Sequence, residues 1–261
     1  MIEPKKLLEV QLDLEHKKPQ IQIYDENLDN VLNDNKQAFV IGILGRQQIG
    51  KSTFLRSCFD VKFKSSSAES QGKQTTVGQD IAVRKADQYD LVLIDAEGFG
   101  SSESKEKYKN QIFWTSDQKK KRKIARNLSK FSLALQSVFL LDICDILFVV
   151  NEYNHDWEDF EEFIDNYQKF NNQEISLPQI IYLIKGADTK NKQQLAVTNL
   201  QQAFANENTE GNDPQNFDNK NNNRITDIKY HFLPSYSGDD SVYKQKNDLI
   251  LSFIEDTIKN Q

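Results

Sequence analysis

The sequence contains few of the residues that build disulfide frameworks or zinc sites. It has two cysteines, far apart and each in an apolar segment, and three scattered histidines: Cys58, Cys144, His16, His155 and His231. Isolated cysteines of this kind are typical of buried thiols in a reducing compartment. The composition therefore excludes a disulfide-stapled scaffold, and the histidines show no metal-ligand spacing.

The sequence also lacks a hydrophobic run able to cross a membrane. The longest apolar region, residues 131–150, is interrupted by Asp142 and Asp145, which a membrane span would not tolerate without partners. Residues 1–20 carry acidic side chains and no sustained apolar run, unlike a secretory signal. The formal net charge of −6 argues against a broad nucleic-acid surface. We therefore expect a soluble, cytoplasmic protein with a buried helix and strand at 131–150.

Apolar stretches of strand type alternate with helical patterns along most of the chain. The predicted strands are 38–45, 79–86, 90–98, 145–151, 179–186 and 225–234, and the predicted helices are 51–60, 128–142, 156–170, 193–205 and 243–259. Several of these strands are apolar throughout, as in parallel strands that are buried on both faces. The alternation predicts a three-layer α/β domain with a mostly parallel central sheet and helices on both faces.

The length of 261 residues suits one large domain with appendages. We expect an N-terminal extension at 1–36, with a short edge strand and helical turn, packed on a main domain at 37–261. Within it, 101–127 reads as a polar insertion and 206–223 as an Asn-rich loop. The basic run 119–123 is typical of a nuclear import signal or an anionic contact, and equally of a solvent-exposed face. A nuclear fraction beside the cytoplasmic one is therefore left open.

Residues 45–53, GRQQIGKST, have the form Gly-x-x-x-x-Gly-Lys-Ser between a buried strand and a helix. This context is the one that a phosphate-binding loop requires. Gly45 and Gly50 let backbone N–H groups turn towards phosphates, Lys51 reaches the β- and γ-phosphates, and Ser52 is a magnesium ligand. The alternative is an ordinary strand–turn–helix corner. The predicted nucleotide-binding residues of this loop are Gly45, Gln47, Gln48, Ile49, Gly50, Lys51, Ser52 and Thr53.

A second signal lies at the end of the predicted strand 90–98. Asp95 is placed to hold magnesium through water, and the Gly98 N–H to contact a γ-phosphate. Between this strand and the phosphate loop, Thr76 could complete the magnesium shell when a γ-phosphate is present. We therefore predict a metal site formed by Ser52, Thr76 and Asp95, with Thr76 also taking part in catalysis.

The base-binding signal is irregular. GTPases place Asn/Thr-Lys-x-Asp after a later strand, and here the predicted strand 179–186 runs into KGADT at 185–189. Asp188 is correctly placed to pair with guanine, but Lys185 and Gly186 stand where Asn/Thr and Lys belong. The pattern predicts GTP or GDP with Mg²⁺ as cofactors, with Lys185 and Asp188 at the base. ATP, and Asp188 as a simple helix cap, are the alternatives.

These motifs, with the helix–strand block at 131–151, resemble the GTPase domains of the dynamin superfamily, of the guanylate-binding protein, atlastin and root-hair-defective type. The resemblance covers about residues 20 to 256, and it maps the family's Asp-x-Glu-Gly motif to Asp95, Glu97 and Gly98. It implies a GTPase that acts as a switch or is regulated by assembly, with a nucleotide-dependent homodimer or protein complex as partner.

The sequence departs from this family in the phosphate loop. Guanylate-binding proteins and atlastins carry a catalytic Arg at the fourth loop residue, which here is Gln48, while Arg46 occupies the second. Phe99 stands where small GTPases place the Gln that orients water. We therefore expect slow hydrolysis that rises with self-association. Arg46 is the candidate charge stabiliser, with a solvated loop Arg as the alternative.

A second resemblance is to the nucleotide-binding regulatory subunit of the kinase of nonsense-mediated mRNA decay. That subunit has a similar helix–strand block but lacks the acidic motif found here at 95–98. It implies a catalytically weak, nucleotide-holding subunit of a larger complex. Intact Lys51 and Asp95 favour the enzyme, whereas Gln48 and Phe99 favour the holder.

Overall fold

The computed structural model describes residues 2–29, 36–63, 78–85, 89–97, 102–155, 177–205 and 229–259, together with residues 157, 160, 164 and 167. Its strands are β1 (Lys5–Asp13), β2 (Lys18–Ile23), β3 (Gln37–Gly45), β4 (Gln79–Lys85), β5 (Tyr89–Ala96), β6 (Ile146–Glu152), β7 (Gln179–Lys185) and β8 (Lys229–Leu233). Its helices are α1 (Glu26–Asp29), α2 (Lys51–Phe59), α3 (Ser102–Gln111), α4 (Gln118–Ile143), α5 (Lys190–Ala205), α6 (Asp240–Lys246) and α7 (Asp248–Lys259).

The strands form one sheet in the order β2-β1-β4-β5-β3-β6-β7-β8. The five strands from β5 to β8 in this order are parallel, and β4, β1 and β2 continue the sheet in antiparallel pairs. Successive residues of a strand point to opposite faces, so an apolar strand such as β3 serves two cores at once. On one face lie α4 and α5, and on the other α2 and α7. The predicted three-layer α/β fold is confirmed.

The N-terminal region contributes more to the sheet than the sequence predicted. β1 was not predicted, yet it lies between β2 and β4, and its apolar residues Leu8, Val10 and Leu12 are buried. These residues alternate with polar ones, as expected of a strand with one covered face. Residues 5–13 and 18–23 therefore extend the sheet itself.

The insertion predicted at 101–127 is largely helical, which corrects the boundary predicted for the following helix. That helix was expected at 128–142 but begins at Gln118, because the Asp117 carboxylate caps the N–H groups of Lys119 and Lys120. Ala125 and Leu128 pack with α3 against the sheet. The basic run 119–123 thus lies in the first turns of α4.

Two other predicted segments differ from the structure. The predicted C-terminal helix 243–259 is two helices, α6 and α7, that meet at Asn247. Most of the predicted helix 156–170 and the whole Asn-rich stretch 206–223 lie outside the described residues. The four described positions of the former, residues 157, 160, 164 and 167, are buried in the core, as predicted for a packing stripe.

Cys58 and Cys144 are free and buried, as predicted. Burial raises the pKa of both thiols, that of Cys58 to about 12, so both stay protonated near neutral pH. Cys144 packs against β3, where a Cβ on Gly42 would lie 2.6 Å from its Sγ. Across the described part of the chain, no helix has the length and apolarity to cross a membrane.

Candidate nucleotide-binding site

The predicted site residues that the structure describes gather at one edge of the sheet. The strands β3, β5, β6, β7 and β8 run parallel, so their carboxyl ends share that edge. Ligands of open α/β sheets bind outside the carboxyl ends of the strands. The phosphate loop follows β3, Asp95 lies near the end of β5, and Lys185 ends β7.

The phosphate loop has the backbone turns that its glycines suggest. Gly45 and Gly50 have φ values of 146° and 105°, and Gln48 between them lies at 60°. A Cβ on Gly45 would overlap the Val150 carbonyl of β6, so only glycine fits there. Ile49 is buried in the core and anchors the middle of the loop. These angles give the loop the tight turns with which successive backbone N–H groups can surround a phosphate.

Lys51 is a buried cation at the start of α2. Its side chain is largely shielded, at 6% exposure, and its Nζ donates to the carbonyls of Gly45 at 3.1 Å and Arg46 at 3.0 Å. Burial lowers the pKa of Lys51, and the nearby carboxylates of Asp95 and Glu97 oppose that shift. An ammonium held this way gains from an incoming anion, because a desolvated cation is stabilised by a close negative charge.

Ser52 and Asp95 lie in direct contact. The Ser52 Oγ donates to Asp95 Oδ2 at 2.6 Å, and Asp95 is fully buried at the end of β5. A hydroxyl and a carboxylate at this position are the protein groups that hold Mg²⁺ in phosphate-loop proteins, so the residues present fit the ion. Of the three predicted metal-site residues, the structure brings these two together; Thr76 lies outside the described residues, as do Gly98 and Phe99.

The remaining residues of the loop face solvent to different degrees. Arg46 and Gln48 are exposed, whereas Gln47, Gly50, Ser52 and Thr53 are partly buried. Arg46 therefore lies at the rim of the loop, where a second molecule or a bound ligand can reach its guanidinium. Gln48, at the fourth loop position, carries no charge.

The predicted base-binding segment is more open. Asp188 is 63% exposed and accepts from the Lys192 ammonium at 2.6 Å, which lowers the pKa of Asp188. The helix-cap alternative for Asp188 is not what the structure shows, because Thr189 Oγ1 accepts from the Lys192 N–H instead, at 3.4 Å. Lys185 is exposed, and its carbonyl accepts from the Tyr153 N–H at 3.0 Å.

The sequence reasoning missed a loop at the same edge, residues 234–239 after β8. Leu233 pairs with Lys185, which places this loop beside 186–189. Tyr236 of the loop accepts from the Arg56 guanidinium of α2 at 2.7 Å and donates to Asp240 at 2.8 Å. The loop is therefore tied to the helix that begins at the phosphate loop. Its sequence signal was a short Ser- and Gly-containing stretch directly after the last strand.

Glu97 was also left out of the predicted site residues. It lies directly after β5, is buried, and hydrogen-bonds to Gly78 and Gln136. Gln136 lies 39 positions further along the chain, so no local motif could have indicated this contact.

Together, the parallel sheet, the glycine-shaped loop and the Lys51, Ser52 and Asp95 cluster define a phosphate-loop GTPase domain. A family model described as 50S ribosome-binding GTPase matches residues 40–185, more than half of the chain. The chain belongs to this GTPase family, whose nucleotide is a guanine nucleotide. The Ser52–Asp95 pair fits the Mg²⁺ that accompanies such a nucleotide. No curated protein matches the sequence.

Three solved structures show the extent of similarity to known proteins. Era in complex with MgGDPNP and a segment of 16S ribosomal RNA is 12% identical, with a TM-score of 0.47. The match covers 85% of this chain and 57% of the Era chain. An Aquifex aeolicus Era variant bound to GDP·AlF4⁻ is 13% identical, with a TM-score of 0.47, over 84% and 56%. A bacterial selenocysteine-specific elongation factor is 10% identical, with a TM-score of 0.49, over 86% and 29%.

Proposed function

We propose that this chain is a Mg²⁺-dependent GTPase that hydrolyses GTP slowly by itself and acts as a switch or assembly-regulated protein. The observation that carries the proposal is the contact between Ser52 and Asp95 beside the buried Lys51. These groups come from the start of α2 and the end of β5. The proposed roles of Gly45, Ile49 and Gly50 are to shape the loop around the phosphates.

Each residue of the cluster has a distinct proposed task. Lys51 would leave the loop carbonyls and pair with the β- and γ-phosphates, stabilising charge that develops during transfer. Ser52 and Asp95 would hold Mg²⁺, which bridges phosphate oxygens and neutralises their charge. Thr76 would join them when a γ-phosphate is present.

Direct binding tests this proposal. Purified protein should bind fluorescent GDP and a non-hydrolysable GTP analogue, and Ser52→Ala should weaken the dependence of that binding on Mg²⁺. Binding by the wild type that is identical with Mg²⁺ and with a chelator would contradict the metal assignment. Absence of guanine-nucleotide binding altogether would remove the proposal.

Hydrolysis is proposed to depend on self-association. Arg46 is exposed at the rim of the loop. In a dimer, its guanidinium could therefore reach the phosphates bound by the second copy. An arginine inserted at the phosphates raises GTPase rates by about 10³–10⁵-fold in known cases. Turnover per molecule should therefore rise with protein concentration and fall in Arg46→Ala. A low turnover that stays constant over a wide concentration range would contradict the dimer-activated mechanism.

A finer assignment within the GTPases is also proposed, to the dynamin superfamily, of the guanylate-binding protein, atlastin and root-hair-defective type. The acidic motif Asp95, Glu97 and Gly98 supports it, because the buried Glu97 is engaged beside Asp95. The test is assembly: the nucleotide-bound wild type should dimerise in solution, and the nucleotide-free protein should not.

The competing function is a nucleotide-holding subunit of a larger complex. The neutral Gln48 at the fourth loop position favours it, since a glutamine cannot supply the positive charge of a catalytic arginine. Phe99, which cannot orient water, and the irregular Lys185-Gly186 favour it as well. A holder should retain guanine nucleotide through purification and show no turnover at any protein concentration. A measurable rate that Arg46→Ala lowers would exclude it.

For the base, we propose a guanine pocket between residues 185–189 and the loop 234–239, with Asp188 as the group that reads guanine. Its carboxylate is now paired with Lys192, so binding would exchange that ion pair for the base. Competition by GTP and not ATP against fluorescent GDP would support the proposal. Equal competition by ATP would contradict it.

The cellular location is proposed to be cytoplasmic, with a nuclear fraction directed by the basic run. Residues 119–123 lie in the first turns of α4, and four of the five are exposed. A fluorescent fusion with alanines at 119–123 should lose its nuclear fraction. A nuclear fraction that persists in this variant would rule out the import role.

A further inference from the structure

Glu97 carries a buried carboxylate that hydrogen-bonds to a residue outside the phosphate loop. Its Oε2 accepts from the Gly78 N–H at 3.0 Å, and its own N–H donates to the Gly78 carbonyl at 2.8 Å. Gly78 directly precedes β4, and Glu97 directly follows β5. The side chain thus closes the last rung of the β4–β5 pair at the edge of the sheet where nucleotide is expected.

The position of this pair is tightly constrained. Gly78 has a φ of 73°, and a Cβ there would overlap the Leu8 carbonyl of β1. Thr76 is two residues before Gly78, and Gly98 is the residue after Glu97. The two residues predicted to contact the γ-phosphate are therefore close chain neighbours of the Gly78–Glu97 pair.

Gln136 of helix α4 contacts the Gly78–Glu97 pair, and its side chain is fully buried. The Gln136 Oε1 accepts from the Glu97 N–H at 3.2 Å, and the Gln136 carbonyl accepts from Gln79 Nε2 at 3.0 Å. The Gln136 amide also donates to Ser132 Oγ at 3.0 Å. Hydrogen bonds, in addition to packing, therefore hold Gln79, Glu97 and Gln136 in place.

The same polar chain continues along one face of α4, because Ser132 lies one turn before Gln136. Ser132 hydrogen-bonds to Tyr108 of α3, and the Tyr108 hydroxyl donates to the Val10 carbonyl of β1 at 3.0 Å. Buried polar groups are costly unless satisfied, and a satisfied network specifies a single arrangement of its members. The network therefore links the phosphate edge to β1, α3 and α4.

Glu97 also lies close enough to Lys51 to stabilise its charged form. A polyphosphate bound at Lys51 would bring negative charge close to the buried Glu97 carboxylate and would repel it. The N–H of Gly78 holds that carboxylate in place against the repulsion, because hydrogen bonds to a charged group are about twice as strong as neutral ones.

We propose that Glu97 is a positioning residue for the γ-phosphate side of the site, acting through Gly78 and held by Gln136. This inference rests on the proposed nucleotide-binding function. It implies that losing the Glu97 contacts weakens binding of a triphosphate more than binding of GDP, because GDP lacks the group that Thr76 and Gly98 are predicted to contact.

The test compares the affinities of four variants for fluorescent GDP and a non-hydrolysable GTP analogue. Glu97→Ala should weaken analogue binding by about tenfold or more while GDP binding changes little. Glu97→Gln keeps an acceptor for Gly78 and should fall between it and wild type, and Gln136→Leu should act in the same direction. Ser137→Ala is the matched control, because Ser137 is equally buried on α4 and its hydroxyl has no partner among the described residues.

A purely structural role of Glu97 would lower the affinities for GDP and for the GTP analogue equally. An equal loss of both affinities, or no loss of either, would overturn the inference. If the wild type binds neither nucleotide, the proposed function itself fails, and the inference fails with it. If Glu97→Ala does not fold, as judged by thermal unfolding, the ratios for Glu97→Gln and Gln136→Leu decide. Hydrogen exchange adds a second readout, since nucleotide should protect the Gln79 and Gln136 amides in wild type and less in Glu97→Gln.

Discussion

The two halves of the candidate site differ in how they are built. The phosphate half is buried and fixed by backbone, with Gly45 pressed against β6, Lys51 shielded and Ser52 bound to Asp95. The base half is open, and its proposed base-reading carboxylate, Asp188, is mostly exposed and paired with Lys192 of the helix that follows it. The phosphate half is thus held by buried contacts, whereas the proposed choice of base would depend on side chains that must exchange partners. Preorganised contacts lose less free energy on binding, so affinity should come mainly from the phosphate half.

The largest expected effect comes from removing the buried cation. Lys51→Ala should weaken binding of GDP and of the GTP analogue by about 150–5,000-fold, since losing one partner of a buried charge pair costs about 3–5 kcal/mol. Titration of fluorescent nucleotide measures it. Lys62→Ala is the control, because Lys62 forms an exposed ion pair with Glu3 away from the loop. A Lys51→Ala protein that binds within threefold of wild type would show that the phosphate half does not dominate.

Gly45→Ala tests the backbone of the phosphate half directly. The new Cβ would overlap the Val150 carbonyl at a positive φ, so unfolding free energy should fall by about 2–4 kcal/mol. Gly238→Ala is the matched control in the loop after β8, where φ is +92° but no atom lies within 4 Å of the added carbon. It should cost about 1–2 kcal/mol from backbone strain alone. Chemical denaturation of both variants measures the difference, and equal losses would contradict the close approach of β6.

Asp188→Asn tests the base half. Replacing the carboxylate removes the acceptor pair for guanine, so GDP affinity should fall by about tenfold or more while ADP affinity is unchanged. Lys192→Ala is the partner variant, because it frees Asp188 from its ion pair and should leave GDP affinity equal or slightly higher. If Asp188→Asn lowers GDP and ADP affinity alike, Asp188 does not select the base.

How much the sequence predicted differs between the same two halves. The phosphate half was predicted down to Lys51, Ser52 and Asp95, because a glycine-shaped loop between a buried strand and a helix is a local pattern. The base half was predicted only in part, since the loop 234–239 has no fixed motif and meets residues 185–189 only through the pairing of β7 with β8.

The fold was predicted where apolar patterns are local and was wrong where other forces decide. β1 was missed although Leu8, Val10 and Leu12 alternate with polar residues, because residues 1–36 were interpreted as an extension packed on the domain. The start of α4 was missed because a single capping residue, Asp117, sets it within a basic segment. The Glu97–Gln136 contact depends on tertiary packing across 39 positions, which no pattern along the chain records.

The smallest expected effect concerns pH and the strand that borders the base half. His231 of β8 is hydrogen-bonded through Nε2 to Asn247 Oδ1 at 2.9 Å, and burial lowers its pKa from the usual 6.5. Because the unfolded chain binds this proton more readily than the folded one, the contribution of His231 to stability is complete above about pH 6.5 and is lost as pH falls through the lower folded pKa. Unfolding free energies measured from pH 8 to pH 5 should therefore decline more steeply for wild type than for His231→Gln. His16→Gln is the control, because His16 is exposed beside β1 and far along the sheet from β8. Parallel pH curves for wild type and His231→Gln would show that protonation of this side chain does not cause the loss of stability at low pH.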